Sequence, residues 1–163
     1  MKVAVAKYAI GMPADFDAFV ARQRDVLAQA AHAGAQMAVL PEYLSLDLAA
    51  TFDDTVRGNL HASLAATQAY RDAWLSLYAD LARGLSLFVQ PGTFLTDVGG
   101  GRYRNRAWWF SPDGRKGFQD KLHLTAFEKH AGVVDGGDAL HVVEAQGIRV
   151  GISVCYDSEF PLP

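Results

Sequence analysis

Apolar runs of strand length alternate with segments of helical period along the first half of the chain, and this alternation limits the fold most. Val3 to Ile10 form an apolar run. Between Asp15 and Ala33, Phe16, Phe19, Val20, Leu27, Ala30 and Ala31 recur at helical spacing. Asp15 suits an N-cap and Gly34 a C-terminal stop. MAVL is a second short strand, ending at Pro41 and Glu42. Residues 44–59 are weakly patterned and read as a loop or a broken helix. Leu60 to Leu81 predicts a second helix, ended by Gly84, then LSLFVQPGTF a third strand and YRNRAWWF a fourth, closed by the turn SPDG. Gly114 to Phe118 begin a return strand, and LHVVEA and IRVGISVC read as a hairpin around Gln146–Gly147. Strands alternating with helices predict an α/β layered fold whose early part is parallel, with a mixed sheet later. IRVGISVC is apolar at nearly every position, the pattern of a central strand covered on both faces.

Composition then removes whole classes of function. The chain has 163 residues, the length of one ordinary domain. With 50% hydrophobic and 20% charged residues it is not a disordered polymer. A net charge of −3 with no basic block argues against nucleic acid as a partner. The densest basic run, Arg102, Arg104 and Arg106, has strand spacing and reads first as the solvated face of a hairpin, second as an anion site. No run of 18 apolar residues predicts a membrane span. The N-terminus carries no small-residue cleavage pattern, so the expected location is cytoplasmic, where the single cysteine stays reduced.

Three predicted strands or their exits deliver reactive side chains: VLPE gives Glu42, FQDK gives Lys121 and ISVC gives Cys155. Strand ends are where α/β folds build sites. A thiol that attacks a carbonyl, a carboxylate that carries the proton and an ammonium that stabilises the oxyanion are a workable set for acyl transfer. Each also has a plainer reading. A lone cysteine in an apolar strand is usually a small core residue, a glutamate after proline a solvated acid, and a lysine an exposed charge. Cys155 departs from the plainer reading because Tyr156, Asp157, Ser158 and Glu159 follow at once, which puts it at the strand exit. No G-x-S-x-G elbow is present, and five histidines show no recurring ligand spacing. Tyr43, Trp108, Trp109 and Phe127 are candidates to shape a pocket, with the tryptophan pair reading better as core.

With VLPEY, QDKLHL and GISVCYDSEFP in this order, and the YRNRAWWFSPDG hairpin between, the sequence resembles the nitrilase, or carbon-nitrogen hydrolase, superfamily, on its amidase-like branch. The resemblance implies that Cys155 is the nucleophile, Glu42 the general base and Lys121 the oxyanion-stabilising lysine. It assigns Glu128 to triad or substrate support, gives the Tyr156 N–H a place beside the oxyanion, and makes Asn105 a supporting residue. It implies a layered α-β-β-α sandwich of the nitrilase type, here incomplete at the C-terminal end, so that residues 1–163 form an N-terminal portion of a single domain and not a self-sufficient enzyme. It implies hydrolysis of a small amide or N-carbamoyl compound through a cysteine thioester, no metal or organic cofactor, and a homo-oligomer when full length. The alternatives are a catalytically inactive relative acting through assembly, a nitrile hydrolase, or a small redox thiol protein.

Overall fold

The computed structural model describes residues 1–160, so residues 161–163, including Pro161 of the GISVCYDSEFP motif, lie outside it. Three short strands, β1 (Val3–Val5), β2 (Met37–Leu40) and β3 (Phe88–Pro91), run parallel in that order. Between the first two lies α1 (Phe16–His32), whose Asp15 cap is extended and accepts a hydrogen bond from the Ala18 N–H. Gly34 follows with a left-handed backbone, as its position past the helix predicts.

The weakly patterned stretch after β2 becomes a 3₁₀ segment, Leu44–Thr51, and a single turn, α2 (Asp54–Arg57). The expected second helix is interrupted. It consists of α3 (Leu60–Thr67), a 3₁₀ turn over Gln68–Tyr70, and α4 (Arg71–Gly84).

LSLFVQPGTF, expected as one strand, is split at Gly92 into β3 and β4 (Thr93–Gly99). Gly92 has φ +74°, and a Cβ there would stand 2.0 Å from the Pro41 carbonyl oxygen. The backbones therefore meet where no side chain fits. β5 (Arg102–Phe110) pairs antiparallel with β4, and β6 (Lys116–Asp120) pairs antiparallel with β5. After α5 (Ala126–Ala131), β7 (Val134–Asp135) adds to β5 in parallel, giving a seven-stranded sheet.

The two-residue period of the strands sorts their side chains onto two faces. Ala38, Leu40, Val89 and Phe110 point to one face and pack with Phe19 and Leu27 of α1 and Trp74 and Tyr78 of α4. Fully burying one such side chain is worth roughly 1.5–3 kcal/mol, so this layer is the main stabilising element. Met37, Phe88 and Trp109 point the other way. Over them lies a hairpin, β8 (Val142–Ala145) with β9 (Ile148–Gly151), which forms its own two-stranded sheet. Ala145 is fully buried there, with Val143, Val150 and Ile152 packed alongside.

This layer corrects two expectations. IRVGISVC is not a central strand. Only Ile148–Gly151 is extended as a strand, it pairs with β8 alone, and Ile148 is 46% exposed. Its continuous apolar character serves contact with the sheet below on one side rather than coverage on both. The expectation of a sandwich incomplete at its C-terminal end is corrected as well, because the last described segments fold back over the second face of the sheet as a β layer. The arginine row is not an open basic face either. Arg102 pairs with Asp135, Arg104 with Asp120 and Asp138, and Arg106 with Asp120. No helix among the described residues is long and apolar enough to cross a membrane.

Candidate active site

Glu42 stands in the turn that leaves β2. Tyr43, the next residue, takes a left-handed backbone (φ 63°) and donates its N–H to Thr93 Oγ1 at 2.8 Å. The 3₁₀ segment that follows is pinned by buried Asp47, which accepts from Tyr8 Oη (2.7 Å) and the Gly11 N–H (3.0 Å). The chain just after Glu42 is thus held twice, by the β4 strand and by the N-terminal loop.

Lys121 extends β6 by one residue, its N–H bonded to the Asn105 carbonyl at 2.9 Å. Its side chain is 1% exposed, an unusual place for an ammonium unless it is paired. The pairs are present. Nζ lies 2.9 Å from Glu42 Oε1 and 2.9 Å from Glu128 Oε2. Asn105, fully buried on β5, donates Nδ2 to Glu42 Oε1 at 2.7 Å and to Glu128 Oε1 at 3.3 Å.

Glu128 is the third residue of α5, where it closes a capping box with Thr125. One carboxylate therefore does two jobs. Oε2 accepts from the Thr125 N–H (2.8 Å) and hydroxyl (2.9 Å), and Oε1 accepts from the Tyr43 hydroxyl. Burial acts to raise the pKa of Glu128, but Tyr43, Lys121 and Thr125 together outweigh it and bring the carboxyl down to about 2. Burial likewise opposes the Lys121 charge, yet Glu42 and Glu128 leave its pKa raised. The Tyr43 phenol is pushed well up by burial and by Glu128.

Cys155 opens a 3₁₀ turn, Cys155–Glu159, with its backbone in the left-handed region (φ 47°). The residue is open to solvent on one side. Partial desolvation raises the thiol pKa, and the Glu42 carboxylate raises it further by charge and by a side-chain hydrogen bond, while Lys121 pulls the other way. A cavity of ≈ 240 Å³ lies beneath it, between the sheet and the hairpin, with Glu42 and Cys155 among its walls and Val39, Trp109, Val150 and Ile152 around them.

The structure thus brings together Glu42, Lys121, Glu128 and Cys155, and Tyr156 follows Cys155 with its side chain 38% exposed. Asn105 and Tyr43 join the cluster as direct hydrogen-bond partners, which the sequence reading did not give them. The strand period offered a signal for Asn105, since it shares a face with Ala107 and Trp109. Of the aromatic candidates, Trp109 lines the cavity, Trp108 belongs to the helix-side core, and Phe127 is 75% exposed and is not among the walls of this cavity. No group of three His, Cys, Asp or Glu side chains among the described residues is arranged to hold a metal ion.

Sheet, helices and cluster together define a class, the layered α/β proteins that gather a carboxylate, an ammonium and a thiol at strand ends. The profile of the carbon-nitrogen hydrolase family matches residues 2–163, and the chain belongs to that family. The expectation of an N-terminal part only is corrected in one respect: the family pattern is not confined to an N-terminal part of these 163 residues but runs over nearly all of them. The chain is 27% identical over 161 residues to a probable hydrolase, YhcX, of Bacillus subtilis, covering 99% of this chain and 31% of that protein. Among solved structures, a carbon-nitrogen hydrolase from Helicobacter pylori superposes with a TM-score of 0.77 at 18% identity, covering 99% of this chain and 53% of that one. An amidase from Nesterenkonia sp. superposes with a TM-score of 0.70 at 21% identity, covering 99% and 57%. In one mutant of that amidase, acrylamide has undergone Michael addition at the active-site cysteine. At these identities the likeness establishes the fold, and the chain spans just over half the length of these solved relatives.

Proposed function

We propose that the protein hydrolyses a small amide through a thioester on Cys155, with Glu42 as the proton carrier and Lys121 as the electrostatic partner. The observation that carries this is the shared position of Glu42, bonded to Lys121 and Asn105 and lining, together with Cys155, the wall of one cavity. A thiol whose pKa is raised is protonated near neutrality, so it needs a base at the moment of attack.

Glu42 takes the Sγ proton as sulfur bonds to the carbonyl carbon. The oxyanion that forms is offset by the Lys121 ammonium and the Tyr156 N–H. Collapse breaks the C–N bond, and Glu42 returns the proton to the departing ammonia or amine. Water then attacks the thioester, giving its proton to Glu42, and the acid leaves with the thiol restored. Glu128 holds the lysine charged and in place throughout. The family membership and the reactive active-site cysteine of the Nesterenkonia amidase support the role given to Cys155.

The cavity walls favour an amide over an N-carbamoyl amino acid. No Lys, Arg or His side chain among the described residues lines them to pair a substrate carboxylate. An unpaired buried charge is costly. The same reading carries a homo-oligomer in a reducing compartment such as the cytoplasm, where Cys155 stays a thiol.

The test is ammonia release from a short aliphatic amide, an N-carbamoyl amino acid and the matching nitrile, side by side. The amide is turned over fastest, and mass spectrometry of quenched protein finds an acyl group on the peptide holding Cys155. Full turnover by Cys155→Ala, or preference for the nitrile, overturns the proposal.

A further inference from the structure

The nucleophile and its partners arrive on different layers. Glu42 and Lys121 leave strands of the seven-stranded sheet, whereas Cys155 follows the separate hairpin. Apolar packing of Ala145, Val150 and Ile152 sets how far the hairpin stands from the sheet, but such contacts are not directional. Something directional must aim the thiol.

Asp157 is 3% exposed, and its carboxylate is spent entirely on backbone donors and one imidazole. Oδ1 accepts from the His123 N–H at 2.7 Å and the Leu122 N–H at 3.1 Å. Oδ2 accepts from the Val154 N–H at 3.1 Å. Leu122 is the neighbour of Lys121, and Val154 is the neighbour of Cys155. One side chain therefore ties the two reactive residues together with a single residue of slack on each side. The Asp157 N–H returns to the Val154 carbonyl (3.1 Å), and Ser158 Oγ donates to the Cys155 carbonyl (2.7 Å), closing the turn around the left-handed Cys155. A non-glycine residue keeps that backbone when its surroundings over-determine it. The His123 ring, with Nδ1 3.2 Å from Asp157 Oδ1, stacks on Phe160 at 4.0 Å and seals the carboxylate from one side.

We infer that Asp157 is a positioning residue, which holds the Cys155 turn in register with Lys121 and Glu42 so that the chemical step depends on it while substrate binding does not. This rests on the proposed hydrolytic role of the site, but the tie between the two segments can be read without turnover. Asp157→Asn keeps the shape and one acceptor oxygen but turns an NH₂ group toward the donors that the carboxylate held.

The experiment uses the full chain and two readouts. In amide hydrolysis, Asp157→Asn lowers kcat about a hundredfold while KM stays within about threefold. In alkylation by iodoacetamide, the pH–rate profile reports the thiol pKa, which in the parent is raised by partial burial and by Glu42 and opposed by Lys121. A thiol that has swung away from Glu42 loses that increment, so the midpoint moves to lower pH in Asp157→Asn. A kcat within threefold of the parent, or an unmoved midpoint, overturns the inference. A shifted midpoint in Asp157→Asn, found together with a parent that hydrolyses no amide, keeps the positioning role and removes the hydrolytic reading instead. Should Asp157→Asn lose its cooperative thermal transition, His123→Phe takes its place, because it retains the ring over Phe160 and removes the Nδ1 contact. A smaller downward shift then supports the role, and none overturns it.

Discussion

At the scale of single residues, the cluster is a balance of buried charge. Lys121 and Glu128 are almost wholly enclosed, and each is held in its charged form partly by the other, with Glu42 also holding the lysine and Tyr43 and Thr125 the carboxylate. Glu128→Gln keeps the volume and removes the charge. Removing one partner of a buried pair costs about 3–5 kcal/mol when the other charge is left alone, and since Lys121 keeps Glu42 the loss should fall below that range, as urea denaturation of the variant checks. Acid acts on the same group. Its carboxyl ionises near 4.5 in the unfolded chain and at about 2 when folded. A depressed folded pKa contributes stability that is fully present above the unfolded value and is lost as pH falls through the folded one. Melting temperature, followed from pH 5 downward, should therefore decline across that window, and the decline should be shallower in Glu128→Gln. Glu42 and Cys155 were legible because each follows an apolar run, where polarity changes abruptly, whereas Lys121 follows the mixed run GFQD and was legible through the QDKLHL motif. Asn105 and Asp157 were harder to see as partners. One is a polar residue in mid-strand, and the other sits among Tyr156, Ser158 and Glu159, where it reads as part of a solvated exit. Their importance lies in partners 23 to 63 positions away for Asn105 and 34 to 35 for Asp157, which no local pattern encodes.

Among the elements, the point where β3 gives way to β4 has the most bearing on the site. Gly92 touches the carbonyl of Pro41, and Pro41 precedes Glu42. Gly92→Ala would add strain twice, from its positive φ and from the close contact, at a cost of about 1–3 kcal/mol. The relief of that contact must move the Glu42 turn. The expected result is a lower melting temperature together with a loss of amide hydrolysis larger than the stability change alone would give. The helix over 16–32 was readable because its cap, period and stop agree. The break at Gln68–Tyr70 was not, because the apolar spacing from Leu64 to Leu81 continues across it and only a single 3₁₀ turn separates α3 from α4. IRVGISVC misled for a related reason. An apolar run tells that a strand is covered, not whether by one layer or two.

For the molecule as a whole, the hairpin is the lightly attached part, since it shares no ladder with the main sheet. Ala145→Asp would place an unpaired charge against Met37, Phe88 and Trp109. Hydrogen exchange should then show residues 142–151 losing protection while β1 to β3 and α1 retain theirs. The separations within the cluster have a further consequence, for time rather than geometry. Glu42 and Lys121 are 79 positions apart, Tyr43 and Glu128 85, and Leu122 and Asp157 35. Loops of that length close late and slowly, because chain entropy must be surrendered before any contact repays it. The reactive arrangement is thus an end product of folding. A nascent or half-folded chain carries Cys155 as an ordinary thiol, without the neighbours that would make it act on an amide, and hydrolysis during refolding should appear with the slowest phase.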